Sequence, residues 1–492
     1  MISFIVPEEE LPYNPHDIDS VLAYAKKLEG STLTEAIKKN SFLSNSVRET
    51  STLAKKHKGR LGQLTESLYF LIKTNSSPEP DFPSINLELK TSGLLPASTR
   101  DRHKNISGKW KAKEALPLGG CNYNKIVCEE FLSSSFLKKN RNLLIIFYEY
   151  HKNVGDLNKQ IKLTGLLAYD DMSEHDKAII ENDWNKMRQG TLEGKAHEFS
   201  RGDFDYLELA TSGTSSTYTT QPFGPKTRTR KYCLKSGFMH SFVSQLSSDK
   251  DDSISLFEDE DKDITLSEKI SQRFAPYIGK TVKAIASDLS MPSSECKQKF
   301  SRISRNILKA IFEVPEERDV QVYVEEFAKA EISIKTVRLD DRDMPCENLS
   351  FPAFKFKDIV REDWESSTFR KLLDRKFLFI FFKEKGDGWI LDSTRYWNMP
   401  NDDIREAKKV WGKTKDTINA GKIVREIAGR RRLSHFPKLR ENPVAHVRPH
   451  AQTTDDTYEL PTKDVLTGSS EYTKHCFWLN KAYIKDNIYQ GR

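Results

Sequence analysis

Long apolar runs are missing from this chain. Hydrophobic residues fill 37% of its 492 positions and charged ones 30%, and the mean hydropathy is −0.63. No stretch approaches the roughly 20 apolar residues that a membrane-crossing helix needs, so no membrane association is expected. The start, Met1 to Glu10, offers neither the basic residues nor the long apolar segment of a secretory leader. Cysteine is scarce too. The six cysteines (Cys121, Cys128, Cys233, Cys296, Cys346 and Cys476) form no C-x-x-C pair, which argues against a zinc site and against a disulfide framework. A reducing, cytoplasmic setting is the expectation.

What the chain does have is length, charge and clusters of base. At 492 residues it exceeds one ordinary core, so two or more domains are expected. The net charge of +7 is compatible with a polyanionic partner. Local clusters say more: Arg100 to Lys113 around Trp110, Lys226 to Lys231 with Arg228 and Arg230, and Arg430-Arg431-Arg432 followed by Lys438 and Arg440. Basic side chains on loops suit phosphate contacts; the plain alternative for each is a solvated surface loop.

Chemistry concentrates between Gly59 and Thr91. Leu61, Leu64, Leu68 and Leu71 or Ile72 make one helical stripe over 61–72, with Glu66 off the stripe. Then Ile85, Leu87 and Leu89 alternate with Asn86, Glu88 and Lys90, the period of a half-buried strand. Successive strand side chains point to opposite faces, so Glu88 and Lys90 share one. A turn after Pro80 would bring Asp81 beside Glu88. Two carboxylates suit a hard cation such as Mg²⁺, and a lysine beside them can orient an attacking water. The bland reading is a solvent-facing strand with an ordinary Glu-x-Lys.

The second half repeats the landmarks of the first. Leu28-Glu-Gly30 finds a counterpart in Tyr277-Ile-Gly279, and Asn86-Leu-Glu88-Leu-Lys90-Thr in the run ending Ile332-Ser333-Ile-Lys335-Thr. Asp81-Phe82 falls on Glu326-Phe327, Ser135-Phe136 on Thr368-Phe369, Leu143 to Phe147 on Phe377 to Phe381, and Lys231-Tyr-Cys233 on Lys474-His-Cys476. Trp184 precedes Gly194 by ten positions, as Trp411 precedes Gly421. Between the halves, Ser247 to Asp263 is acidic and poor in apolar residues, the mark of a linker. The second copy has Ser333 where the first has Glu88, so it reads as catalytically silent.

The run Gly62-Gln-Leu-Thr-Glu66 … Asp81-Phe-Pro … Glu88-Leu-Lys90-Thr resembles the MutH family of DNA-nicking endonucleases. The layout of one intact and one degenerate copy is similar to the Sau-IIIA type restriction endonucleases. The resemblance implies that Asp81 and Glu88 ligate Mg²⁺, that Lys90 acts on the water and that Glu66 supports the metal. It also implies a further lysine before the next strand; Lys138 and Lys139 both fit, and Lys138 is carried as the candidate. An Arg-Pro-Lys turn that reads bases in this family is matched by Arg448-Pro449-His450, where histidine replaces the lysine. Arginine suits a bidentate contact with guanine.

The expected architecture is therefore α/β, with two tandem MutH-like domains, each a mixed sheet flanked by helices. Residues 1–246 would be catalytic, 247–264 a linker and 265–492 a DNA-binding effector. The expected function is a type II restriction endonuclease making Mg²⁺-dependent double-strand cuts, by resemblance at 5′-GATC, with two chains assembling on the DNA. Arg228, Arg230, Arg448, Pro449 and His450 are the expected DNA contacts. The alternatives are a mismatch-repair nickase and a non-catalytic DNA-binding regulator. The duplication argues against the first, and the joint survival of Glu66, Asp81, Glu88 and Lys90 against the second.

Overall fold

The computed structural model describes residues 4–39, 60–73, 78–97, 109–213, 217–247, 253–258, 261, 264–291, 300–386, 388–429 and 431–491. The basic residues Arg100, Arg102, His103, Lys104 and Arg430, and the acidic tract at 248–252, 259–260 and 262–263, lie outside the described residues. Two compact units are formed, one by 1–197, 204–266 and 317–331, the other by 198–203, 267–316 and 332–492.

In the first unit, Asp17 caps α1 (Ile18–Lys26) by accepting the Asp19 N–H, and α2 (Leu33–Lys39) follows. Between them Gly30, at φ +76°, gives its N–H to the Ile161 carbonyl at 2.9 Å. The expected helix over 61–72 is shorter and less regular. Here α3 (Arg60–Leu64) widens into one π-helical turn, Thr65–Tyr69, where the Phe70 N–H reaches back to the Thr65 carbonyl. Such turns aim side chains away from the regular helical stripe. Glu66 sits on this turn.

Two sheets complete the unit. The larger has the order β2 (Trp110–Ala112), β1 (Leu87–Pro96), β4 (Asn142–Glu149), β5 (Ile161–Ala168). In it β1 and β4 are parallel, while the β1–β2 and β4–β5 pairs are antiparallel. The smaller is antiparallel, β3 (Leu116–Gly120), β7 (Arg230–Leu234), β6 (Leu207–Thr211). Helices α4 (Ser135–Asn140), α5 (Glu174–Leu192) and α6 (Ser236–Leu246) flank them. Leu87 and Leu89 enter a core with Leu64, Leu68, Phe70, Phe82, Leu144 and Ile146, which turns Glu88 to the opposite face.

A late segment belongs to this first unit. Helix α7 (Glu325–Lys329) packs on α6. Its Lys329, 5% exposed in its side chain, ion-pairs with Asp176 and Glu325 at 2.6 Å each. Lys235 donates to the Ala330 carbonyl at 3.3 Å, and Ser236 to the Glu331 carboxylate.

The second unit has a similar sheet plan, with three strands instead of four in its larger sheet. Its larger sheet is β8 (Ser333–Leu339), β10 (Lys376–Lys385), β11 (Gly388–Asn398), with β8 and β10 parallel and β10 and β11 antiparallel. The smaller is β9 (Leu349–Ser350), β15 (His475–Leu479), β14 (Ala445–Pro449), again antiparallel. Helices α8 (Thr368–Leu373) and α9 (Asn401–Asn419) stand where α4 and α5 do. Gly279, at φ +82°, donates to the Leu391 carbonyl as Gly30 does to Ile161. An extra hairpin, β12 (Val424–Ala428) with β13 (Arg431–Ser434), precedes β14.

Strand register tests the sequence correspondences one by one. Glu88 lies opposite Leu143 and Lys90 opposite Ile145; Ser333 lies opposite Phe377 and Lys335 opposite Phe379. That agrees with the matched landmarks. One correspondence needs correcting. Leu234 pairs with Leu207 and Leu116, while Leu479 pairs with Ala445 and Leu349. Cys233 therefore falls on Trp478, two positions from the expected Cys476; a three-residue landmark cannot fix a register that strand pairing does. Glu326 keeps the spacing of Asp81, seven positions before Ser333, and Glu331 takes a left-handed φ of +57° as Asn86 does at +47°. The Glu326 carboxylate, on α7, accepts the Ser255 hydroxyl at 2.6 Å and the Leu256 N–H at 3.0 Å.

Candidate active site

The site begins with a turn. Phe82 and Leu87 exchange both backbone hydrogen bonds, at 2.8 and 3.1 Å, and the link between them is a 3₁₀ turn, Pro83–Ile85, closed by Asn86 in the left-handed region at φ +47°. Asparagine tolerates that conformation better than most residues. The strand thus starts at Leu87 rather than Ile85. Phe82 is fully buried, so removing its ring would cost roughly 3–5 kcal/mol; the core itself holds the turn in place. One residue outward from the Phe82–Leu87 pair, Asp81 stands across from Glu88.

The two acids are laced together through the backbone. Asp81 donates its N–H to Glu88 Oε2 at 3.2 Å, and Asp81 Oδ2 accepts the Leu89 N–H at 2.8 Å. On the other oxygen, Glu88 Oε1 takes Lys90 Nζ at 2.5 Å and Lys139 Nζ at 3.5 Å. Glu88 is only 5% exposed. A buried carboxylate is costly unless paired, and these two lysines supply the pairing.

Crowding of negative charge shows in the neighbours. Burial, then Glu88, then Glu66 raise the Asp81 carboxyl to about 7 against the opposing Leu89 N–H and Lys90. Glu66 is raised as well, by burial and then by Glu88, with Lys90 and Lys139 working the other way. Three carboxylates thus influence one another, and a divalent cation is the natural relief for such a cluster. Among the described residues no three Asp, Glu, His or Cys side chains converge as a ligand set. The donors that do converge are Asp81 and Glu88. Two hard oxygen ligands, the rest left to water and substrate phosphate, is how Mg²⁺ is commonly held, so the residues present fit a divalent ion.

The two candidate lysines separate cleanly. Ser134 caps α4 by accepting the Leu137 N–H, and the helix then directs Lys139 to Glu88 and to the Glu79 carbonyl at 3.3 Å. Lys138 points elsewhere, its exposed ammonium on the Glu79 carboxylate at 2.8 Å. Adjacent helical residues diverge by about 100°, so only one of the pair can face the site. The structure brings Lys139, not Lys138, to the acids.

The expected DNA contacts divide in the same way. Arg230 is 6% exposed and donates to the Ala196 carbonyl, so its guanidinium braces the fold and is turned from solvent. Arg228 is half-buried with its guanidinium 5.6 Å from the Tyr218 ring. Arg448, Pro449 and His450 are all exposed at the end of β14. There the Arg448 guanidinium lies 5.4 Å from the Trp478 ring and the His450 ring 6.2 Å from it. Trp478 is not among the residues expected from sequence. Its position opposite His446 on β15 is a matter of register, with no local signal.

The second unit differs at the matching positions. Ser333 and Lys335 occupy the strand positions of Glu88 and Lys90. Ser367 caps α8 as Ser134 caps α4, and five residues beyond each cap the first unit has Lys139 and the second Leu372.

A mixed sheet that delivers two interlocked carboxylates and two lysines to one edge defines a nuclease of the restriction-endonuclease kind. The family model for the DNA mismatch repair enzyme MutH matches residues 70–183. The chain is 32% identical over 466 residues to the type II restriction enzyme Sau3AI of Staphylococcus aureus, covering 88% of this chain and 93% of that protein. It is 24% identical over 240 residues to the DNA mismatch repair protein MutH of Shewanella woodyi, covering 48% of this chain and 94% of that one. The chain belongs to the Sau3AI family of type II restriction enzymes: it is a site-specific deoxyribonuclease whose substrate is DNA and whose kind works with a divalent metal ion. No described helix is long and apolar enough to cross a membrane.

Proposed function

We propose that this protein is a cytoplasmic Mg²⁺-dependent restriction endonuclease that breaks both strands of DNA at 5′-GATC, with the first unit cutting and the second binding DNA as an effector. The observation that carries the assignment of the cutting site is the Asp81–Glu88 pair, locked by reciprocal backbone bonds and faced by Lys90 and Lys139. The specificity for 5′-GATC rests on the resemblance to the Sau-IIIA type.

Asp81 and Glu88 would hold the ion, which when bound supplies charge stabilisation at the scissile phosphate and a more acidic water. Lys90, on the same strand face as Glu88, is placed to orient the attacking water. Lys139 reaches the same carboxylate from α4 and is placed to offset charge building on the phosphate. Glu66 keeps the pocket anionic from the π-helical turn. The second unit, with Ser333 and Leu372 in place of an acid and a lysine, would bind without cutting, through Arg448, Pro449 and His450. The matched sheet plans support an internal duplication.

One complete site per chain makes one hydrolysis at a time, and a double-strand break needs two. We infer that two chains assemble on DNA. Plasmid incubated with protein and Mg²⁺, with the ends mapped, tests the whole reading: clean breaks at 5′-GATC are expected, whereas nicks alone would favour a repair-type nickase. Plasmids with one and two sites should be cut at clearly different rates. Equal rates would remove the assembly.

A further inference from the structure

The second unit carries an element that the first lacks. The closing turn of the long helix is the same in both: Gly194 and Gly421 have φ of +73° and +61° and donate to the Thr191 and Ile418 carbonyls. From that glycine to the next strand, however, there are 13 positions to Leu207 in one case and 24 to Ala445 in the other. The longer stretch holds the β12–β13 hairpin. Its charge differs in kind. Residues 422–441 contain seven Lys or Arg and two Glu, whereas 195–205 contain two Lys or Arg and three Asp or Glu.

At the base of this insertion, beside the last turns of α9, lies an open cavity of about 330 Å³. Lys413, Lys422, Arg425, His435 and Lys438 line it, and Glu441 is its one acidic residue. Glu441 is already ion-paired with Lys413, which leaves a cationic wall. A helix C-terminus would ordinarily work against an anion here. The closing turn removes most of that effect, because the Asp416, Thr417 and Ile418 carbonyls accept from Ala420, Lys422 and Gly421 within the turn. Clefts lined by one sign of charge focus the field and concentrate counter-ions. Val447 donates to the Pro437 carbonyl, so the cavity-lining segment runs alongside β14, the strand that ends in Arg448.

We propose that this basic cavity is a docking site for a phosphodiester group of DNA, gripping the duplex independently of its sequence while the end of β14 contacts it separately. The proposal deepens the reading that the second unit binds DNA and rests on it. Its chemistry is recognition of phosphate by a lysine–arginine cluster; the two sources of such a group are a DNA backbone and a free phosphate ion.

Full-length protein carrying Glu88→Ala, so that DNA stays uncut, separates these. Affinity for duplexes with and without 5′-GATC is measured against salt for this protein, for Arg448→Ala in it, and for Lys422→Ala with Arg425→Ala and Lys438→Ala. The triple variant should lose affinity for both duplexes by the same factor, about tenfold, and its log–log salt slope should flatten by about 1, the share of one phosphate contact. Lysine-to-arginine and arginine-to-lysine exchanges at the same positions should restore the slope, which excludes misfolding as the cause. An unchanged slope while Arg448→Ala still weakens binding overturns the cavity and leaves the second unit as a DNA binder. No change in either variant overturns both. Loss confined to the duplex with 5′-GATC overturns sequence-independent docking. Phosphorus NMR of inorganic phosphate without DNA supplies the last arm: saturable binding abolished by the triple variant, with the DNA slope unchanged, would assign the cavity to a free anion and overturn the proposal.

Discussion

Asp81 and Glu88 are cross-strand neighbours over a four-residue turn, each bound to the other's strand through a backbone N–H: Asp81 N–H to Glu88 Oε2 at 3.2 Å, Leu89 N–H to Asp81 Oδ2 at 2.8 Å. Seven residues separate them in sequence, yet neither can shift without breaking a bond of the other. Replacing Glu88 by Ala is therefore expected to abolish cleavage while DNA binding persists, because the acid is not needed for strand pairing; Ser333 occupies the same register position in β8. Gel-shift and cleavage assays on one preparation check this. Cleavage surviving in that variant would remove Glu88 from the site.

Lys138 and Lys139 give a sharper test, being adjacent and chemically identical. Lys139→Ala is expected to lower the cleavage rate on the order of 10²–10³-fold, the range for losing a charge-stabilising group. Lys138→Ala, which loses an exposed ion pair worth about 1 kcal/mol or less, should stay within a few-fold of the parent. Single-turnover kinetics decide. Equal losses would mean that α4 presents its lysines differently.

A divalent ion should stabilise the fold before any chemistry occurs. Asp81 is held up at about 7 by burial and by Glu88 and Glu66, so a cation removes repulsion and adds binding energy, by about 2.7 kcal/mol at a hundredfold excess over Kd. Thermal melting with and without Mg²⁺ or non-cleaving Ca²⁺ should show an upward shift in the parent. In Glu88→Ala and Asp81→Ala that shift should be small or absent. A full shift in both would place the ion elsewhere.

His475 sets a pH dependence in the second unit. It is 2% exposed, stacked 5.1 Å from Tyr472, and its Nδ1 lies 2.7 Å from the Thr473 carbonyl. Burial lowers its pKa from 6.5 to about 4. The unfolded chain then binds the proton more readily, so stability is complete above the unfolded value and is lost as pH falls from about 6.5 toward 4, by at most about 3 kcal/mol. His475→Phe should flatten the denaturation midpoint across that window relative to the parent. Parallel curves for the two proteins would rule the residue out.

Gly237 tests whether 317–331 completes the first unit. A β-carbon there would come within 2.2 Å of the Ala328 carbonyl oxygen. Ala in a helix normally gains about 1 kcal/mol over Gly, but a backbone oxygen cannot yield as a side chain would, and overpacking costs roughly 1–3 kcal/mol. A lower melting temperature for Gly237→Ala is expected; a higher one would detach α7 from α6.

Much of the site is legible in the sequence. Period-two alternation places Glu88 and Lys90 on one strand face, and the buried Leu87 and Leu89 on the other show why: a strand has only two faces and the core claims one. The turn at Asp81 is readable for the same reason, since Phe82 must be buried and Pro83 and Asn86 suit a tight reversal. Lys139 is not, because two adjacent lysines carry no phase until a capped helix of known start is docked. Nor is the burial of Arg230, whose charge suggests a surface role although its backbone belongs to the central strand of the smaller sheet. The two-residue slip at Cys233 and Cys476 has the same origin: short landmarks record similarity, and register is recorded by hydrogen bonds.

The sequence by itself determined which acids and lysines occur together, that the matched run of the second half has Ser333 where the first has Glu88, and the family that the motif resembles. These are properties of residue type and spacing, which local backbone periodicity carries. The tertiary structure alone decided which of two lysines serves Glu88, which arginine is a strut, and that residues 317–331 fold with the first unit. Each of those depends on where a side chain stands relative to elements far away in sequence, and packing, not spacing, settles it.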